Sequence, residues 1–441
     1  MDSDECRCHD LLGCGSGFYG MTRLALLVGL LALLGSVAAV VGAPGHAATA
    51  PGRETSIFYY PWYGNPQFDG AYDHWNQNGH VPPYDLATSF YPARGPYSSS
   101  DPRIVAAQMK EIAAAGIKEV VSSWWGWGSP TDLHLPMIVQ MARNAGLEVA
   151  AQIEPYDART AEDVVAGIAH LRTLGVGRIY VYHPFLIADL DWQAALPTIS
   201  GIQVLAQTTN VSRAKADRFA GVYTYDVLDY GPATFGPLCQ KAHSLGMICA
   251  PSVGPGYDAL RATGDTHIKD RAGGATYDAM WKAAIRAGAD RVTITSYNEW
   301  HEGTQIEPAL TTISRRLASA ARPSSSPVAQ AYETYSGAYG LHGKEASRAY
   351  LTRTAYWTGV YRSGSLNGAT PDASGKVAAH GRITRFAAED ARMIAASSRL
   401  SSSALLFRLG HAVRAMRNET APSPSAARPN IWGKSLDVPR G

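Results

Sequence analysis

The chain has 441 residues, 46% of them hydrophobic and 17% charged, with a formal net charge of +2. It is too apolar for a disordered protein and too nearly neutral to draw nucleic acid or an anionic membrane surface. Tyr (23) far outnumbers Phe (9), and ten Trp are present; rings with polar edges in such numbers suit either ordinary packing or a cleft that binds sugars.

Residues 1–50 read as a leader. Met21-Thr22-Arg23 precedes an uncharged apolar run over 24–41, followed by Gly42, Pro44 and Ala48-Thr49-Ala50. A basic start, an apolar stretch and an A-x-A end form the export pattern. The expectation is a secreted protein, cleaved after Ala50, with Met21 as the true start. The alternative is a membrane anchor left in place through 24–41. Cys6, Cys8 and Cys14 fall in this leader without a zinc-site spacing. Only Cys239 and Cys249 remain beyond it, and a disulfide or two buried thiols are both compatible with an exported chain.

From 51 to 362, short β-branched or aromatic runs alternate with helical patterns. The spacing predicts strands over 56–60, 119–124, 148–153, 178–182, 202–207, 221–225, 247–252 and 291–297. Helices are predicted over 102–115, 135–145, 161–174, 232–245 and 277–287, several closed by a glycine such as Gly116, Gly146 or Gly175. A last helix is expected over 349–361. Eight βα units predict an α/β fold, a single (β/α)8 TIM-type barrel with extended βα loops. A doubly wound sheet is disfavoured, because Pro61-Trp62-Tyr63-Gly64-Asn65-Pro66 after the first strand is no phosphate loop. Residues 363–441 are rich in Ala, Ser and Arg, with one helical piece over 385–416, and read as a low-complexity tail.

In a barrel the active site lies at the C-terminal ends of the strands. Those ends read Pro61-Trp62-Tyr63, Trp124-Trp125-Gly126-Trp127, Glu154-Pro155-Tyr156, His183-Pro184, Asp226, Tyr257-Asp258 and Asn298-Glu299-Trp300-His301-Glu302. Carboxylates, aromatics and His therefore collect on one rim. Glu299 and Glu302 stand at i, i+3, and a helical turn there would project both to one side. Two close carboxylates separate in pKa, so that one can act as acid and the other as base. With Glu154 as a third, the pattern fits cleavage of a glycosidic bond. No HExxH, DxDxDG or G-x-S-x-G pattern is present, so neither a metal nor a serine nucleophile is expected.

The run from Ile294 to Pro308, with Asn298-Glu299-Trp300-His301-Glu302 at its centre, resembles the signature of glycoside hydrolase family 99. Phe58-Tyr59-Tyr60-Pro61-Trp62-Tyr63-Gly64-Asn65-Pro66, Ser123-Trp124-Trp125-Gly126 and Pro251-Ser252-Val253-Gly254-Pro255-Gly256-Tyr257-Asp258 agree in order. The resemblance implies an endo-acting, retaining α-1,2-mannosidase or mannanase that needs no cofactor or metal. It implies that Glu299 deprotonates the mannose 2-OH, which closes a 1,2-anhydro sugar. Glu302 would protonate the leaving oxygen and later activate water. Trp125 would wall the neighbouring subsite and Glu154 would hold sugar hydroxyls there. Tyr60, His74, His183, Tyr225 and Tyr257 are expected in the cleft, with packing an equal alternative for each Tyr. Where the family carries Asn-Arg before Gly-Gly, this chain reads Lys269-Asp270-Arg271-Ala272-Gly273-Gly274, and Arg271 is the expected counterpart.

The expected partner is thus an α-mannan or a mannose-rich glycan, bound by a monomer. Two other functions fit the same cleft: a barrel hydrolase of another α-linked polysaccharide, and a carbohydrate-binding pseudoenzyme. The second is opposed by the presence of both Glu299 and Glu302.

Overall fold

A computed structural model describes residues 53–321, 331–364 and 366. The predicted leader and the predicted tail beyond 366 lie outside the described residues. Nine strands form one sheet whose neighbours are all parallel. They are β1 (Glu54–Tyr59), β2 (Glu119–Trp124), β3 (Glu148–Ile153), β4 (Arg178–Val181), β5 (Gln203–Gln207), β6 (Gly221–Tyr223), β7 (Ile248–Ala250), β8 (Ser252–Val253) and, later in the chain, β11 (Arg291–Ile294). Between the last two, β9 (Tyr257–Asp258) and β10 (Ile268–Lys269) make a separate antiparallel hairpin.

The predicted seventh strand, 247–252, is divided at Pro251. Proline has no N–H for the ladder, so β7 pairs with β6 while β8 pairs with β11. β11 also pairs with β1, which closes the ring into the expected (β/α)8 barrel. The last strand is shorter than predicted and ends at Ile294, where the chain turns into the rim loop.

Three of the connecting helices begin at a proline just after the N-cap position. Asp101, Ser129 and Gly231 precede Pro102, Pro130 and Pro232, each at a first helical position. The helix expected from 135 starts at Pro130 instead, because the Ser129 side chain accepts the Asp132 N–H at 3.2 Å. Ala349–Ser363 closes the outer ring; Thr358 Oγ1 donates to the Ala115 carbonyl at 2.8 Å, and Trp357 stacks on Trp281. Cys239 and Cys249 are joined by a disulfide that ties the Pro232–Ser244 helix to β7. Among the described residues, no helix is long and apolar enough to cross a membrane.

The barrel interior is filled in layers. At the base, buried Glu119 accepts from Ser56 at 2.8 Å and Tyr180 at 3.1 Å, and pairs with Arg178 and Arg291. Above it, Phe58 packs against the rings of Tyr180, Tyr223 and Tyr225. The top layer carries the carboxylates.

Candidate active site

The loop after β11 folds back on itself. Ser296 N–H donates to the Thr304 carbonyl (3.0 Å) and Glu307 N–H to the Tyr297 carbonyl (2.9 Å). Glu299 and Glu302 are held by this compact loop and not by the helical turn that their spacing suggested. Gly303 has φ +62°, and a Cβ there would lie 2.8 Å from the Asp258 carbonyl oxygen, so the turn requires glycine. The neighbouring Glu302 carbonyl accepts the Asp258 N–H at 2.8 Å, which pins the loop to β9.

A buried polar network supports the loop from below. Asn298 grips the Tyr60 backbone at both ends, accepting its N–H (2.8 Å) and donating to its carbonyl (3.0 Å). Tyr63 Oη donates to the Asn298 carbonyl and accepts the Trp300 N–H, both at 3.0 Å. Fully buried Glu307 accepts from Trp300 (2.9 Å), Tyr97 (2.7 Å), Gln108 (2.8 Å) and Arg94 (3.1 Å). Arg94 also donates to Glu111. Burial alone would raise Glu111, but Arg94 and Arg348 prevail and hold it at about 2.

Three carboxyls above this network are driven the other way. Burial, reinforced by the Glu302 charge, raises Glu299 well above the usual range. Its Oε1 accepts the His301 N–H at 3.1 Å, while Oε2 is buried with no hydrogen-bond partner. Glu302 is raised to about 8, first by burial and then by Asp226. Its Oε2 accepts from Tyr225 Oη at 3.2 Å, and Tyr225 is in turn hydrogen-bonded to Tyr60. Glu154 is raised to about 7 by burial, although Ser123 (2.8 Å) and Gln152 (2.9 Å) both donate to its Oε1. Glu302 and Glu154, poised in this way, exchange protons near neutral pH.

His301 lies behind Glu299. Its Nε2 is 2.6 Å from the His74 carbonyl, and its Nδ1 is 3.5 Å from Glu299 Oε1. The imidazole rings of His74 and His301 both stack on the Trp62 indole, at 4.7 and 5.9 Å. Burial lowers His74 to about 4 and His301 to about 3, so both are neutral.

Tyr60, Tyr225, Glu154, Glu299 and Glu302 thus meet in one electrostatically coupled group. Tyr257 is half-buried beside it, bonded to Asp265 at 2.9 Å and sensing the Glu302 charge. Half-buried His183 packs its ring at 4.2 Å from Tyr182, whose hydroxyl senses Glu302 and Asp226. Trp125 is half-buried on the β2 side, its backbone N–H donating to Thr131 Oγ1 at 3.0 Å. Arg271 stands apart from that group. It lies buried under the rim loop, donating to the Gly303 and Gln305 carbonyls at 2.8 Å, with its guanidinium among the rings of Phe90, Tyr335 and Tyr350. The structure thus places it as a support of the rim loop.

Several contributors were not singled out as site residues in the sequence. Asp226 is read at a strand end but given no role, and Tyr182 stands at another strand end, where position alone would have flagged it. Arg159 holds the Ile153, Tyr182 and His183 carbonyls from a loop with no local signal. Among the described residues, no group of three or more His, Cys, Asp or Glu side chains could hold a metal ion.

Comparison with known proteins agrees with this geometry. The model of glycosyl hydrolase family 99 matches residues 52–363. A glycoprotein endo-alpha-1,2-mannosidase of Xenopus laevis is 32% identical over 59% of this chain and 71% of its own length. One from Mus musculus is 32% identical over 57% of this chain and 67% of its own. The solved GH99 endo-alpha-mannosidase of Bacteroides thetaiotaomicron superposes with a TM-score of 0.60 at 28% identity, covering 70% of this chain and 98% of that one. With the barrel, the long rim motif and the buried glutamate pair all in agreement, the chain belongs to glycoside hydrolase family 99 and is a glycoside hydrolase.

Proposed function

We propose that this enzyme is an exported, endo-acting α-1,2-mannosidase working with retention on mannans or mannose-rich glycans. The observation that carries the reading is the buried pair of Glu299 and Glu302 on one rim loop. Burial raises both, helped by the Glu302 charge at Glu299 and by Asp226 at Glu302, so the pair retains a proton at neutral pH.

The chemistry follows from that shared proton. Glu299, as carboxylate, takes the proton of the mannose 2-OH. The freed oxygen attacks the anomeric carbon and forms the anhydro C–O bond. The glycosidic C–O bond breaks as Glu302 delivers its proton to the leaving oxygen. Glu302, now ionised, takes a proton from water, whose oxygen opens the anhydro ring at the anomeric carbon. Glu299 returns its proton to O2. Two inversions at the anomeric carbon give net retention. Tyr225, hydrogen-bonded to Glu302 and Tyr60, keeps the acid oriented through both steps.

Export is supported by the leader pattern and by the Cys239–Cys249 bridge, which forms readily in an oxidising compartment. The relatives, described as endo-alpha-1,2-mannosidases, support the linkage.

The test is incubation with an α-1,2-branched mannan and with a Glc/Man-α-1,3-Man-α-1,2-Man glycan, followed by product sizing and NMR of the new anomeric centre. Oligosaccharide release with retained configuration is expected. Glu302→Gln should lose about 10²–10⁴-fold in kcat while folding normally. Failure of the wild-type enzyme to release oligosaccharides from either substrate would overturn the specificity.

A further inference from the structure

The loops after β2 and β3 carry an aromatic strip that the catalytic chemistry does not use. Trp125 is half-buried, and two residues on Trp127 is 71% exposed. A single exposed apolar residue is ordinary, but a contiguous exposed aromatic strip marks a binding site. Trp127 is also held still. One face stacks on the His170 imidazole at 4.2 Å and 17°. His170 Nε2 lies 2.8 Å from Asp132 Oδ1, which also accepts from the Trp124 indole at 2.8 Å. Asp132 Oδ2 accepts the Gly128 N–H at 2.9 Å, which fixes the turn just after Trp127.

Tyr156 lies beside the segment that joins the two indoles. It comes from the β3 loop, two residues after Glu154, and is half-buried. It meets Trp124 edge-on at 6.0 Å. Gly126 has φ +95°, and a Cβ there would touch the Tyr156 ring at 3.6 Å, so that ring lies over the short stretch joining Trp125 to Trp127. The strip grows more exposed as it leaves the cleft.

We infer that Trp127, continued from Trp125 by Tyr156, forms a distal subsite that stacks against a further hexose of a long mannan chain. A flat ring with one face covered and the other in water suits the apolar C–H face of a pyranose, and preorganisation lowers the cost of binding. The inference rests on the mannan reading above. It makes chain length a determinant of affinity.

The test uses the Glu302→Gln enzyme, which should bind without turnover, and calorimetry with α-linked mannotetraose and mannohexaose. The longer glycan should bind about tenfold more tightly, the worth of one good stacking contact. Trp127→Ala in the same background should cut that gain below about twofold, and Trp127→Tyr, which keeps a flat ring, should retain most of it. An unchanged thermal midpoint in both variants separates lost stacking from lost fold. A length gain that survives Trp127→Ala, or no gain in the parent enzyme, overturns the subsite while leaving the hydrolase reading intact. Failure of the parent to bind either glycan overturns both.

Discussion

A backbone carbonyl can only accept, so the 2.6 Å contact between His301 Nε2 and the His74 oxygen puts the imidazole proton on Nε2. Burial holds the ring neutral, with protonation pushed down to about 3. Nδ1 is therefore a bare acceptor, and it faces Glu299 Oε1 at 3.5 Å. A lone pair aimed at a carboxylate disfavours its anion and favours its acid, so His301 makes Glu299 a stronger base. The other groups acting on Glu299 are the Glu302 and Glu154 charges, which push in the same direction, and the His301 and Glu302 backbone N–H groups, which oppose them. His301→Gln can still donate to the His74 carbonyl but loses the fixed acceptor. We expect kcat to fall about tenfold with KM nearly unchanged. The acidic limb of the kcat/KM pH profile should move to lower pH, because Glu299 then ionises more readily. A purely structural role would lower the plateau without moving the limb.

The rim loop depends on contacts from distant segments. Arg271 sits under it, its Nη2 donating to both carbonyls and its planar guanidinium boxed by Phe90, Tyr335 and Tyr350. A lysine ammonium could donate to both carbonyls but has no planar face to stack among three rings. Arg271→Lys should therefore lower kcat by about tenfold or more and reduce the thermal midpoint, with recovery of neither by raising substrate concentration. The Cys239–Cys249 bridge closes a short loop across one βα unit, worth about 3 kcal/mol by chain entropy. The double Cys→Ala variant should melt several degrees lower while keeping its kcat, since neither cysteine approaches the rim loop in sequence or contact. These two supports also mark how far local pattern carries. The strand order and the rim glutamates are legible because each βα unit repeats a short apolar run, a polar strand end and a glycine stop. Pro251 was visible too, but its division of one strand between two partners depends on the ring being closed. Arg271 was legible only as a motif position, because its surroundings come from Phe90, Tyr335 and Tyr350, and no local periodicity joins those residues. The Cys pair was open for the same reason: bridging needs the helix and β7 to be packed together.

Across the whole molecule, the barrel accepts a stability cost to keep its carboxyls protonated near neutral pH, and that cost has a definite sign. Glu302 titrates at about 8 and Glu154 at about 7 in the folded chain, against an ordinary value of 4.5. Between those values the folded state holds more protons than the unfolded one, so stability falls as pH rises. Glu111, held at about 2, acts in the opposite direction, but only as pH drops below 4.5. His74 and His301, at about 4 and 3 against 6.5, also oppose, because the unfolded chain takes up their protons first as pH falls. The wild-type melting curve therefore mixes these contributions, and the difference between two proteins separates those that depend on one carboxyl. Glu302→Gln removes the penalty for ionising Glu302 and, with it, the charge that helps to raise Glu299, and both changes act in the same direction. Its thermal midpoint should match the wild type near pH 4.5, where that carboxyl is protonated in the folded chain and half-protonated in the unfolded one. It should then rise progressively above the wild type toward pH 8, by about 2–4 °C for each kcal/mol recovered. A midpoint difference that is constant across this range would show that Glu302 is not buried as a neutral acid. A growing difference, accompanied by lost turnover, would show that stability was given up for the acid the reaction needs.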